Sequence, residues 1–565
     1  MSEIVLTSDQ TEDFIRTIGI TDQHPVVLNT SPTGSGKTVL VMEFLRRRNI
    51  KRAIVVCNNS VQVDHWEAFK ERYNAPIVLI ISYDTLRGSK TVLTQDGRRM
   101  VVNGLLYKDL DDNFYPSEIF MQWVEEGLCL ISDECHSIKN DRAKTSAFKA
   151  LSRYITIRSM TQPYPLNKSW TYFLSMTPFD KPEHCVNFLF TCGIIRGTEL
   201  YNRESDTPSG IIDLYNYCRY FNLEKTNSVW GLYDVKSNNV NEVAYRLTAE
   251  VFLRLISTFC RNSQHDYKSK QSIYYSYSDI PPEAHIMMKK ALNMIKAPVK
   301  TQQIQGQEQK VSDQLDQQIS SQFETISMGQ DIEEKNGVIY GTITYHTVKT
   351  YYILVPLIYY LLQNVPNVKI LVFLDYKESV NIIMHCLSMY NPVKITGDVG
   401  CTREKRKEII NKFNEPNLDI RILVFISQIG SDSIELDDRD GRFPRIGLGF
   451  PDFYYSRFFQ CPGRLYRRFT ESNSIFLWCL VNTDEYQEES VFKSTNDKTI
   501  VMQETLQNNQ IVPPISYQKI INPHLHDFNY LLRIAGTVVP NRTQDETKKT
   551  KGIIKIENAT FRKRF

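Results

Sequence analysis

From Val26 to about residue 196, short apolar runs alternate with longer stretches of mixed polarity. Val26-Val-Leu28, Ala53-Ile-Val-Val-Cys57, Ile77-Val-Leu-Ile-Ile81, Leu128-Cys-Leu-Ile131 and Thr171-Tyr-Phe-Leu174 read as strands, and Val39 to Arg48 reads as a helix. Such alternation predicts a parallel sheet with helices on both faces. A second alternation begins near Gly341, with strands at Lys369 to Leu374, Val393-Lys-Ile395, Ile422 to Ile426, Ile446-Gly-Leu448 and Ile475-Phe-Leu-Trp478. The longest apolar segment, Tyr351 to Leu362, is too short to cross a bilayer and reads as a buried helix.

Residues 201–340 separate the two alternating regions and are rich in Tyr, Asn and Gln. Within them Val311, Leu315, Ile319 and Phe323 recur every fourth residue through a glutamine-rich tract. That spacing suggests an amphipathic helix in an inserted arm, with a flexible linker as the alternative. The expected layout is an α/β chain with one domain over 1–200, a mainly helical insert over 201–340, a second domain over 341–485 and an extension over 486–565. The extension ends in a basic tail, Lys548 to Arg564, which could touch phosphates or simply be solvated.

Length agrees with this division, because 565 residues exceed one ordinary core. A composition of 42% hydrophobic and 23% charged residues is that of a soluble globular protein. The net charge of +3 does not by itself signal nucleic acid, although a local groove could still be basic. Eleven scattered cysteines without any C-x-x-C pair argue against zinc ribbons and disulfide frameworks, and for a reducing compartment. The N-terminus lacks a basic segment followed by an apolar core, so no signal peptide is expected.

Candidate chemistry sits at the ends of the predicted strands. Ser31-Pro-Thr-Gly-Ser-Gly-Lys-Thr38 lies between a strand and a helix, the context of a phosphate loop. Gly34 and Gly36 let successive N–H groups face phosphate oxygens, Lys37 would reach the β- and γ-phosphates, and the Thr38 hydroxyl would meet Mg2+. Ser31 stands where the pattern has Gly or Ala. The strand at Leu128 to Ile131 ends in Asp133 and Glu134, the first suited to hold Mg2+ and the second to orient and deprotonate an attacking water. Far downstream, Gln460-Cys-Pro-Gly-Arg-Leu-Tyr-Arg467 places Arg464 and Arg467 on one face if it is helical, where both could aim at one anion.

This set resembles a superfamily 2 helicase or translocase. The phosphate loop at 31–38 is similar to motif I, Asp133-Glu-Cys-His136 to a DExH-type motif II, and Gln460-x-x-Gly463-Arg464-x-x-Arg467 to motif VI. Ser175-Met-Thr177-Pro178 resembles the Ser-Ala-Thr motif that couples hydrolysis to movement, with Met176 in place of alanine. Ile81 to Arg87, and Val56 to Ser60 with Trp66, resemble the strand-binding segments of the first domain. Leu371 to Tyr376 resembles motif IV, and Ser427 to Gly430 with Ile434 to Leu436 resembles motif V, although Ser433 replaces a glycine. The segment through Asp440 to Arg445 is most similar to helicases of large DNA viruses and phages.

The resemblance implies two tandem RecA-like domains flanking a cleft, with a helical insert between them and a C-terminal extension. ATP and Mg2+ would be bound by Thr33, Gly34, Ser35, Gly36, Lys37 and Thr38, with Asp133 on the metal, Gly430 beside the nucleotide and Gln10 reading adenine. Gln460, Arg464 and Arg467 would complete the catalytic set with Lys37 and Glu134, while His136, Ser175 and Thr177 would couple hydrolysis to motion. Asn59, Tyr83, Arg87, Tyr376 and Ser427 would meet nucleic acid, DNA or RNA, without much sequence preference. The implied activity is ATP-driven unwinding or translocation in a soluble, intracellular protein. A translocase that remodels nucleoprotein complexes without separating strands is one alternative, and a weakly hydrolysing, ATP-switched clamp is the other. Protein partners could dock on the insert or the extension. A GTPase reading fails because Asn167-Lys168 lacks the aspartate that reads guanine, and no kinase or protease constellation is present.

Overall fold

The computed structural model describes residues 4–140, 143–159, 164–221, 235–260, 345–396, 402–427, 434–451, 460–465 and 474–481, the short strands 272–277, 333–335, 338–340 and 518–520, and positions 471, 491, 494, 497 and 498. The described residues divide into two compact units, each built on its own parallel sheet. The tail at 544–565 and the tract at 301–323 lie outside the described residues.

In the first unit the strands are β1 (Val26–Asn29), β2 (Arg52–Cys57), β3 (Ile77–Ser82), β4 (Thr91–Leu93), β5 (Arg99–Val101), β6 (Leu106–Lys108), β7 (Phe114–Pro116), β8 (Leu128–Asp133), β9 (Trp170–Leu174) and β10 (Ser257–Thr258). Six of them form one sheet in the order β10-β1-β9-β8-β2-β3, every pair parallel. Runs such as Val26-Val-Leu28 and Ile54-Val-Val56 are buried on both faces, because helices cover each side of the sheet. Phe44 and Leu45 of one covering helix pack with Val27, Val55, Ile131 and Tyr172 in a single core. The helices are α1 (Ser8–Gln23), α2 (Lys37–Arg47), α3 (Ser60–Tyr73), α4 (Tyr83–Arg87), α5 (Glu118–Glu126), α6 (Ala143–Ser159), α7 (Pro182–Cys192) and α8 (Ser209–Phe221).

Strands β4 to β7 form an antiparallel meander between α4 and α5 that the hydrophobic pattern does not announce. Its turn chemistry does, because Asp96-Gly97 and Asn103-Gly104 place glycines at φ +81° and +77°, where hairpin turns need them.

The second sheet has the order β15-β16-β14-β17-β18-β11-β19, again all parallel. Its members are β11 (Ser272–Tyr277), β14 (Lys369–Leu374), β15 (Val393–Ile395), β16 (Ile422–Ile426), β17 (Arg445–Gly449), β18 (Ile475–Val481) and β19 (Gln518–Ile520), while β12 (Glu333–Lys335) pairs only with β13 (Val338–Tyr340). The apolar stretch after Tyr351 is buried as expected, and the helix Val355–Asn364 is entered through a π turn, Thr350–Leu354. The span expected as an insert is shared out. Helix α8, the helix Val240–Leu247 and β10 belong to the first unit, whereas β11 extends the second sheet. The expected boundary at residue 200 is therefore displaced, since the described chain stays with the first unit as far as Cys260. Among the described residues, no helix is long and apolar enough to cross a membrane.

Candidate active site

Three loops gather at the carboxyl edge of the first sheet. The phosphate loop follows β1, Asp133 and Glu134 end β8, and Ser175 to Thr177 follow β9, which lies between those two strands. In α/β sheets ligands bind at this edge, where loops are free to differ while the strands beneath them stay rigid.

The phosphate loop is braced from beneath by α1. Thr7 and Gln10 form a reciprocal cap, with Gln10 N–H donating to Thr7 Oγ1 at 3.4 Å and Thr7 N–H to Gln10 Oε1 at 3.1 Å. The cap leaves Gln10 Nε2 to donate to Ser35 O at 2.8 Å. Gln10 approaches so closely that a Cβ on Gly36 would lie 2.3 Å from Nε2, and Gly36 is held at φ +89°. Both polar ends of the Gln10 side chain thus contact backbone and brace the loop. Lys37 Nζ donates to Ser31 O at 2.8 Å and Pro32 O at 3.1 Å, so it bridges the base of its own loop. Lys37 also opens α2, whose N-terminal N–H groups face the loop.

Asp133 and Glu134 are held very differently. Asp133 Oδ2 accepts the indole N–H of Trp66 at 2.8 Å, and Oδ1 accepts the backbone N–H of Glu134 at 3.1 Å. Burial pushes Asp133 up to about 6, the neighbouring Glu134 adds to the rise, and Trp66 and Lys37 oppose it. Glu134 stands in the left-handed region at φ +51°, an uncommon conformation for a residue with a Cβ. This backbone turn brings Glu134 Oε2 to 3.1 Å from His136 Nδ1 and 3.4 Å from Ser175 Oγ. His136 Nδ1 and Ser175 Oγ are 3.2 Å apart, and Ser175 Oγ also accepts Thr177 N–H at 3.2 Å. Glu134, His136, Ser175 and Thr177, expected to act together, therefore meet in one cluster. Met176 has a use as well, since its sulfur accepts Thr33 Oγ1–H at 3.7 Å and joins the loops after β1 and β9.

Among the described residues no group of three or more His, Cys, Asp or Glu could hold a metal ion. A site with one carboxylate and one hydroxyl suits Mg2+, which takes few protein ligands and completes its shell from phosphates and water. The crowding that lifts Asp133 is also what a divalent cation would relieve.

One residue expected to meet nucleic acid, Tyr83, is placed differently. Tyr83 is fully buried, with its hydroxyl 2.6 Å from Ser132 Oγ and donating to Asp133 O at 3.1 Å, so it supports the end of β8 from below. Trp66, grouped by resemblance with a strand-binding segment, is likewise fully buried and serves Asp133. Asn59 starts α3, where its Oδ1 accepts Gln62 N–H at 3.1 Å, and Arg87 is half-buried at the end of α4.

In the second unit Tyr376, just past β14, is 46% exposed and packs on the His346 ring at 4.3 Å, while Ser427, just past β16, is buried. Gln460 and Arg464 are both buried, and Pro462–Arg464 form a 3-10 turn, in keeping with Pro462 and Gly463, both poor residues for a helix interior. Arg467 and Gly430 lie outside the described residues. The residues that sequence reasoning missed are Asp13, Asn29 and Thr258, which surround the base of the phosphate loop.

The fold and this edge define a phosphate-loop α/β protein. Residues 3–163 match the family described as "Type III restriction enzyme, res subunit". No curated protein matched the chain. Among solved structures, the chain is similar to the Sulfolobus solfataricus SWI2/SNF2 ATPase core in complex with dsDNA, with 14% identity over 90% of this chain and 97% of that chain. The TM-score of that superposition is 0.27.

Proposed function

We propose that this protein is a nucleic-acid-dependent ATPase that couples hydrolysis of Mg-ATP to movement along, or unwinding of, DNA or RNA. The observation that carries the reading is the convergence of Lys37, Asp133, Glu134 and Ser175 at one sheet edge. The family match over residues 3–163 supports it.

On this reading Lys37 leaves Ser31 O and Pro32 O for the phosphates of an incoming triphosphate, exchanging neutral carbonyl partners for charged ones. Asp133 and Thr38 would hold Mg2+, which would supply neutralisation of phosphate charge. Glu134 orients the attacking water and accepts its proton, held in place by His136 and Ser175. A change in charge on Glu134 is felt directly by Ser175, which gives the segment after β9 its proposed part in coupling. Gln460, Arg464 and Arg467 supply the amide and guanidinium groups for the transferred phosphoryl. Asn59, Arg87 and Tyr376 are the proposed contacts to phosphate, sugar and base.

The test is ATP hydrolysis measured side by side with single-stranded DNA, single-stranded RNA, duplex and no nucleic acid. Stimulation by at least one of them is expected, with Lys37→Ala and Glu134→Gln each lowering turnover by about a hundredfold or more. Full turnover in both variants would overturn the proposal.

A further inference from the structure

The departure of Ser31 from the usual Gly or Ala has a counterpart elsewhere in the chain. Ser31 is fully buried, and its hydroxyl donates to Asp13 Oδ2 at 3.4 Å while accepting the backbone N–H of Cys260 at 2.8 Å. Asp13, on α1, is also buried and takes two further donors, the Thr258 hydroxyl and Asn29 Nδ2, the latter at 3.1 Å. Asn29 closes the ring, since its Oδ1 accepts Ser31 N–H at 2.9 Å. Thr30 N–H and hydroxyl both donate to Thr258 O, at 3.0 and 3.2 Å.

Three segments far apart in sequence thus meet on one carboxylate: α1, the start of the phosphate loop, and residues 257–260. Burial pushes Asp13 up, and the hydroxyl and amide donors pull it back, as expected of a carboxylate sustained by hydrogen bonds. The carbonyl of the same Ser31 is an atom on which Lys37 rests, at 2.8 Å.

We infer that Asp13, acting through Ser31 and locked by Thr258, is a positioning residue for the triphosphate-binding loop. It holds the peptide that parks Lys37, and it makes that position depend on the short strand β10. An alanine or glycine at 31 would leave the carboxylate without one donor and the Cys260 N–H without its acceptor, so the serine and the aspartate function as a pair. This inference rests on the proposed nucleotide site.

The experiment measures binding of fluorescent methylanthraniloyl-ATP with Mg2+ to the full chain, with thermal unfolding recorded in parallel. Thr258→Val, which removes the hydroxyl with almost no change in shape, is expected to weaken binding by about tenfold. Thr258→Ser, which restores the hydroxyl, should bind like the wild type. Asp13→Asn and Ser31→Ala should each weaken binding, and their combination should fall clearly short of the sum of the two losses, because both break the Ser31–Asp13 contact. Thr258→Val binding as the wild type does, with only a lower unfolding temperature, would show a purely structural network and overturn the inference. Losses that add in full in the double variant would overturn the pairing. If the wild type fails to bind the probe, or Lys37→Ala binds it equally well, the nucleotide site itself is wrong and the positioning role falls with it. Binding that is lost in Lys37→Ala but unchanged in Thr258→Val sinks the positioning role alone.

Discussion

Trp66 is the clearest case of a residue whose role no sequence pattern announces. An indole on α3 reads as core or as a base-stacking surface, and burial settles it as core. Its N–H is the group that matters, because it donates to Asp133 Oδ2 and fixes the carboxylate proposed to hold Mg2+. Trp66→Phe keeps most of the packing and removes that donor. Nucleotide binding should then need about three to ten times more Mg2+ for half-saturation, the range expected when an outer ligand partner is weakened. Titrating Mg2+ against bound methylanthraniloyl-ATP checks this, and an unchanged midpoint in the folded variant would count against a positioning role. The motif spacing singled out Glu134, His136 and Ser175, whose side chains meet in one cluster. The place of Tyr83 was not readable, because a tyrosine after a strand says nothing about which way its hydroxyl points.

At the level of elements, the continuous apolar runs identified β1, β2, β3, β8 and β9 of the first sheet and β14 to β18 of the second, because burial on both faces leaves no other pattern, whereas β11 and β19 were not read from the sequence. Two-residue β10 could not be found this way, as so short a strand has no periodicity. Contacts between elements were equally hidden, and His24 is one with a measurable consequence. It caps the end of α1 through its N–H to Ile20 O, while its ring Nδ1 lies 3.3 Å from the Tyr217 hydroxyl on α8. Burial holds His24 down at about 4. As pH falls below the ordinary histidine range, the unfolded chain takes up a proton that the folded chain refuses until about 4. Stability from this group is therefore present above about pH 6.5 and is lost as pH falls towards 4, by up to about 3 kcal/mol. Urea unfolding at about pH 7 and about pH 5 should show a smaller drop for His24→Gln than for the wild type. Equal drops in the two proteins would assign the acid sensitivity to other groups, His346 in the second unit among them, since burial lowers it to about 3.

Across the whole molecule, the proposed chemistry divides unequally between two sheets. The first unit carries the proposed loop for the triphosphate, carboxylate for the metal and base, with hydrogen bonds joining Asp133 to Glu134 and Glu134 to Ser175. The second unit repeats the parallel sheet without a phosphate loop and carries Gln460 and Arg464, the latter in the turn Pro462–Arg464, as its proposed share. Binding and turnover should then respond differently to damage in each. Lys37→Ala removes a group that meets the triphosphate in the ground state, so it should weaken nucleotide binding as well as turnover. Arg464→Ala should leave methylanthraniloyl-ATP binding within about threefold of the wild type and lower turnover by about a thousandfold, the range seen when a guanidinium acts mainly on the transferring phosphoryl. Arg464 is buried, so thermal unfolding of the variant must be measured alongside, and Arg464→Lys provides a second arm. Lysine keeps the charge but not the planar fork, and it should recover only part of the lost rate. A full rate in Arg464→Ala would remove Arg464 from the chemical step. An equal loss of binding and turnover in both arginine variants would instead place Arg464 on the bound nucleotide before any bond is broken.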